Sequence, residues 1–166
     1  MKTGRIYLEP DIFKTVVQHT PLVSIDLIVR NGAGDVLLGK RRNRPAQGVW
    51  FVPGGRVGKD ETLNAAFLRL TEVELGQAVQ REAASFVGVF EHFYDDNFHG
   101  TDFSTHYVVL AYQLSLPHNG PFPEDQHEAY AWFSPAALLA DDRVHTNSKA
   151  YLIKSGDSMP EGKGTR

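Results

Sequence analysis

The 166-residue chain contains no cysteine. Disulfides and thiol chemistry are therefore excluded, and a reducing compartment fits. An excess of positive charge is also missing: 17 Lys and Arg against 20 Asp and Glu leave a formal net charge of −3. Nonspecific binding to nucleic acid needs a basic surface, which this composition does not supply. A nucleotide is a different matter, because a few local cations and a metal can hold one. No apolar run approaches the ~20 residues that span a bilayer. The opening MKTGRIYLEPDIF lacks the apolar centre of a secretory signal. A cytoplasmic protein with no membrane partner is the expectation. Repeats and internal linkers are absent too. What is present is ordinary: 42% hydrophobic and 22% charged residues, with 15 glycines and 9 prolines as punctuation. That is the composition of one globular domain with a real core. A single domain over residues 1–166 is expected, with its core at about 11–153 and a polar tail, 154–166, that frays.

Residues 9–19 read as a short helix with Ile12, Val16 and Val17 on its apolar side. LVSIDLIV alternates, with Val23, Ile25, Leu27 and Val29 facing one way and Ser24, Asp26, Ile28 and Arg30 the other, which is a strand signature. NGAGD is a turn and VLLGKR the returning strand. Further extended stretches are GVWFVP, FVGVFEHF, THYVVLAYQLSL and YAWFS. DDNFHGTD and NGPFPEDQHEA are polar loops. Pro135 opens a small helix, and residues 147–153 form a last turn or two. Many strands, hairpin turns and one long central helix predict a mixed sheet with helices packed on it.

In the central helix Asp60 is the expected N-cap and Gly76 the C′ stop. At 100° per residue, Leu63, Ala66, Phe67 and Leu70 share one face, with Val73 at its margin and Arg69 and Glu72 to the side or opposite. Glu74 returns to the apolar face between Leu63 and Phe67, where an unpaired charge is expensive. Two readings are open: the helix end is exposed and Glu74 reaches water, or Glu74 meets a cation. The preceding PGGR loop favours the second, because its glycines let backbone carbonyls approach an ion.

Residues 55–77 resemble the Nudix box, G-x5-E-x7-R-E-U-x-E-E-x-G-U with U a bulky aliphatic. Gly55, Glu61, Arg69, Glu74 and Gly76 match at the right spacing. Leu70 and Val73 replace two glutamates, and Thr71 and Gln77 replace the two aliphatics. These departures look like those of the GDP-mannose mannosyl hydrolases, a divergent Nudix family. The resemblance covers roughly residues 11–153, including TPLVSIDLIV, LLGKRRNRPAQGVWFVPGGRV, EHFYDDNFHGTDFSTHYVVL, DQHEAYAWF and ALLADDRVHTNSKAYL. It implies an α/β fold, the Nudix α/β/α sandwich with a mixed β-sheet. It also implies a homodimer, one Mg²⁺ (or Mn²⁺) per site, and a GDP-sugar substrate.

The missing carboxylates bear on the reaction. Attack on phosphorus in a polyanion calls for several divalent ions, gathered by several carboxylates. With Leu70 and Val73 in place that cluster cannot form, whereas Glu74 can still help to hold one ion. One ion suits attack of water on sugar C1, where charge accumulates on a departing nucleoside diphosphate. Water entering from the opposite face inverts the anomer. The resemblance implies this reaction: GDP-mannose, or GDP-glucose, plus water giving GDP and the free sugar. The alternatives are a conventional pyrophosphohydrolase releasing GMP and sugar 1-phosphate, and a silent nucleotide-sugar-binding module.

A histidine side chain can accept a proton from water, which makes His127 a candidate base, although on residues alone it reads as one surface histidine among seven. The resemblance makes it the general base. It makes Gln126, otherwise a loop amide, a metal ligand beside the Gly54 carbonyl and Glu74. Arg41 and Arg56 align with leaving-group arginines, while Lys40, Arg42 and Arg44 keep the reading of a solvated basic strand end. Asp26, otherwise an exposed strand position, is placed near the sugar. Tyr107, otherwise core packing, becomes a donor to the leaving diphosphate. His92 is a candidate substrate contact. Glu61 and Arg69 are read as organising the box rather than performing chemistry.

Overall fold

A computed structural model describes residues 7–117, 120–125 and 127–153. The tail at 154–166 and Gln126, to which a metal-binding role was assigned, lie outside these described residues. In chain order the elements are α1 (Pro10–His19), β1 (Leu22–Arg30), β2 (Val36–Arg41), β3 (Trp50–Phe51), β4 (Gly54–Arg56), α2 (Leu63–Leu75), β5 (Ser85–Tyr94), β6 (Thr105–Ser115), β7 (His127–Phe133), α3 (Pro135–Ala140) and α4 (Thr146–Lys149). A 3₁₀ turn at Arg81–Ala83 precedes β5, and another at Ala150–Leu152 follows α4.

Among the described residues, seven strands join one mixed sheet, built as two halves. In one half β1 runs parallel to β6 from Leu22↔Tyr107 to Arg30↔Ser115, and antiparallel to β4 through Asp26↔Gly54. β5 completes this half against β6. In the other half β2 pairs antiparallel with β3 and β7. The halves meet through the β1–β2 turn, with Arg30 opposite Val36. Asn31 holds that turn by accepting from the backbone N–H groups of Ala33 and Asp35, and Gly34 takes the positive φ of 82° that it needs. Beyond the turn the halves splay apart, and a cleft opens between them.

Both sheet faces are covered, as the alternation in β1 requires. Ile25, Leu27 and Val29 pack with Phe67, Leu70 and Leu75 of α2, and with Tyr112 and Leu114 of β6. Ile28 faces the opposite cluster with Val36, Leu38, Ala111, Leu138 of α3 and Val144. Each fully buried aliphatic or aromatic side chain here contributes roughly 1.5–3 kcal/mol. Val23 departs from the pattern and is exposed. Among the described residues no helix is long and apolar enough to cross a membrane.

Three local expectations are corrected. The N-cap of α2 is Thr62, whose hydroxyl accepts from Ala65 N at 3.1 Å; Asp60 instead takes a left-handed φ of 63° in the turn before it. GVWFVP carries only a two-residue strand, Trp50–Phe51, and the next strand, Gly54–Arg56, begins after it. His127 is the first residue of β7, opposite Arg41 in register, rather than part of a polar loop.

Candidate active site

The cleft between the half-sheets encloses about 340 Å³. Asp26 of β1, Arg41 of β2, Gly54 and Arg56 of β4, Glu74 of α2, His92 of β5, Tyr107 of β6 and His127 of β7 all line it. Every candidate side chain among the described residues therefore borders one cavity, although the elements that carry them are spread over a hundred positions.

One wall is the loop and helix of the box. Arg69 donates from Nε to Glu61 Oε1 at 2.7 Å and from Nη2 to Glu61 Oε2 at 2.9 Å. The same Nη2 reaches the Arg56 carbonyl at 2.8 Å, and Glu61 Oε2 also accepts from Gly58 N at 2.8 Å. This clamp pins the glycine loop to the helix, and the Arg69 hydrogen bonds hold the Glu61 carboxyl below its usual range. Thr71, standing at a box aliphatic position, is buried; its hydroxyl accepts from Val79 N at 2.9 Å and ties the helix to the segment after it. Gly76 ends the helix with φ 74°, as expected.

Glu74 is only 4% exposed, so the reading of a solvated helix end is overturned. Its Oε2 lies 3.1 Å from His127 Nε2. The His127 ring rests on Gly39 of β2, where an added Cβ would overlap Nδ1 and come within 2.8 Å of Cε1. Nδ1 is buried without a hydrogen-bond partner among the described residues, and Nε2 is the nitrogen that meets Glu74. Tyr130 supports the pair by donating to the Glu74 carbonyl at 3.2 Å.

On the facing side, Asp26 sits where β4 crosses β1. An added Cβ on Gly54 would collide with the Ile25 carbonyl oxygen and come within 2.7 Å of Asp26 Oδ1. Only glycine permits this approach of backbone to carboxylate. Burial pushes the Asp26 carboxyl up to about 7, against the pull of a Tyr151 hydrogen bond and the Arg41 charge. His92 is buried, and that burial, reinforced by His145, brings it down to about 4.

The cations complete the cleft. Arg56 carries its Cζ 4.1 Å over the Phe13 ring, so α1 braces it from outside. The Arg41 Cζ lies 5.7 Å over Phe51, and its Nε is buried without a hydrogen-bond partner among the described residues. Burial raises the Tyr107 phenol above its usual value, while Arg41 and Arg56 pull it back. Lys40 and Arg44 look outward instead, to Glu128 at 3.7 Å and Asp96 at 3.2 Å.

Sequence reasoning missed three side chains here. Tyr151 donates to Asp26 Oδ2 from the last 3₁₀ turn. His145 stacks on Phe51 with centroids 4.5 Å apart; burial and the Arg41 charge bring it down to about 4. Tyr94 packs near His145 and Tyr107 and accepts from Asn147 at 3.3 Å. No local pattern announces them; only folding brings the C-terminal segment to the sheet.

The fold and the box clamp define the class, and a NUDIX domain model matches residues 20–154. The chain belongs to the Nudix family, and its activity class is that of a Nudix hydrolase. Among related sequences it is 44% identical over 126 residues to the Low-salt glycan biosynthesis protein Agl8 of Haloferax volcanii, covering 75% of this chain and 78% of that protein. It is similar in fold to a MutT NUDIX hydrolase from Burkholderia pseudomallei, at TM-score 0.63 and 27% identity over 81% of this chain and 97% of the other. The MutT protein of Methanosarcina mazei gives TM-score 0.66 at 19% identity, over 81% and 92%. The NUDIX domain of Shewanella oneidensis NrtR, solved in complex with ADP ribose, gives 0.59 at 16%, over 87% and 96%. Nudix hydrolases typically use a divalent metal such as Mg²⁺.

Proposed function

We propose that this chain hydrolyses a GDP-hexose, GDP-mannose foremost, to GDP and the free sugar by attack of water on sugar C1 with inversion. The observation that carries this reading is the α2 wall. Leu70, Val73 and Glu74 all line the cleft, so the end of the helix contributes one carboxylate and two apolar side chains. Among the described residues no group of three or more acidic or histidine side chains is gathered closely enough to hold a metal ion. A polyanion attacked at phosphorus calls for more positive charge than one such carboxylate can gather.

The donors fit a single hard cation. Glu74 offers a buried carboxylate, and Gly54 brings bare backbone into the cleft where a side chain would collide. Carboxylate and carbonyl oxygens, completed by substrate phosphates and water, are the ligands Mg²⁺ accepts. Glu74 and the Gly54 carbonyl would hold it, with Gln126 the third candidate. Bound there, it would neutralise charge on the departing diphosphate.

The remaining roles fall to the protein. Arg41 and Arg56 grip phosphate oxygens, and Tyr107 beside them donates a hydrogen bond to the leaving group. His127 Nε2 takes the water proton once its contact with Glu74 is released. Asp26, as a carboxylate, favours the positive charge that develops at C1. His92 contributes on the sugar side of the cleft. The likeness to a protein named for glycan biosynthesis supports a nucleotide-sugar substrate. The edge strand β5 exposes Phe86, Val87, Val89 and Phe93, which supports a homodimer that sizing by light scattering would detect. The cytoplasm is the proposed setting, as the cysteine-free composition suits.

Hydrolysis in H₂¹⁸O tests the reaction. We expect label in the sugar, unlabelled GDP, and the inverted anomer as the first sugar signal in NMR. GMP with labelled phosphate, or binding without turnover, would overturn it.

A further inference from the structure

Tyr151 stands 125 positions from Asp26 in sequence, yet its hydroxyl donates to Asp26 Oδ2. The same oxygen lies 3.3 Å from His92 Nε2. A phenol has one proton, and here it goes to the carboxylate. The phenol oxygen must then accept, so His92 carries its proton on Nε2. Burial keeps that imidazole neutral near pH 7, so it can donate without adding charge. His92, Tyr151 and Asp26 thus form a chain of donors with one consistent direction. The Tyr151 ring is held independently, edge-on against Phe90 of β5 at 4.7 Å and 88°.

The far end of this chain is the other Asp26 oxygen. Oδ1 lies against Gly54, and both residues line the cleft. A carboxylate with one oxygen fixed has lost its freedom to rotate, and the free oxygen is then aimed. We propose that Tyr151, braced by His92, is a positioning residue that fixes Asp26 so that Oδ1 faces the reacting sugar carbon. This rests on the reading that Asp26 acts at the sugar. It also changes the role of His92, whose Nε2 is committed to Tyr151 and is not free for substrate.

Tyr151→Phe removes the hydroxyl and keeps the ring against Phe90. With the GDP-sugar that the wild type turns over, kcat should fall about 10- to 100-fold, the usual loss for a hydrogen bond to a charged group. KM should stay within about two-fold, because the lost contact acts at the reacting centre rather than in binding. In an Asp26→Ala background the same substitution should cost nothing further. Proton NMR gives a second reading, independent of turnover: a downfield hydroxyl resonance absent from Tyr151→Phe and shifted upfield in Asp26→Asn. An unchanged kcat, a loss confined to KM, an additive double variant, or a hydroxyl resonance insensitive to Asp26→Asn would each overturn the assignment. Release of GMP by the wild type would overturn the proposed reaction and with it the aim of Oδ1 at a reacting carbon, whereas the hydroxyl resonance alone failing to respond would overturn only the Tyr151 assignment. Absence of any turnover would overturn both.

Discussion

Glu61 and Glu74 belong to the same loop-helix cassette, yet they meet opposite surroundings. Glu61 is saturated: Arg69 grips both its oxygens and the Gly58 N–H adds a third hydrogen bond. Glu74 is buried where it lines the cleft, and its side-chain partner is His127, a group that need not be charged. A carboxylate whose hydrogen-bonding capacity is already spent holds structure. One that is buried with a single exchangeable partner keeps acceptor capacity available for something that arrives later. The two ends of one motif thus differ, a fixed end that shapes the loop and an end, reactive in the proposed function, that lines the cleft.

Substitutions at each end test that division. The largest effect should come at the reactive end: His127→Gln should lower kcat by roughly 10²–10⁴, the span for losing a general base, with folding intact by circular dichroism. Near-normal turnover would remove His127 from that role. Next, Gly39→Ala should push the imidazole off β2 and cost up to about 10²-fold in kcat, because displacement of a working group by an ångström is enough. A crystal structure of that variant with His127 unmoved would contradict the explanation.

The fixed end should answer in stability rather than in chemistry. Arg69→Met leaves Glu61 partly buried without its cation, and denaturant melts should show a loss of about 3 kcal/mol. A variant as stable as the wild type would mean that the clamp is ornamental. The smallest effect concerns acid. The Glu61 carboxyl is held below its unfolded value of 4.5, so its contribution is complete above that pH and is lost as pH falls through the lower folded value. Glu61→Gln should therefore weaken the dependence of the unfolding midpoint on pH below about 4.5. An unaltered acid limb would argue against this linkage.

Much of the cassette was legible because its signals are local. The helical phase set Glu74 on the apolar face, and Gly76 marked the helix end through the left-handed turn that only glycine adopts freely. The N-cap was misread because Asp60 and Thr62 are both good capping residues, and the backbone gave Asp60 the turn instead. His127 was misplaced because acidic and polar neighbours suggest a loop. Its pairing opposite Arg41 depends on a strand some 85 positions earlier.

By itself the sequence determined the alternating strand β1, the helix α2 and the loss of two acids from its inner wall. Each follows from neighbours within a few positions, where periodicity and backbone preference act. Only the tertiary structure decided that Glu74 is buried against His127, that Gly39 must be bare, and that Tyr151 returns to Asp26. Those contacts join residues tens to more than a hundred positions apart, and no local rule fixes a partner that only sheet register and packing can deliver.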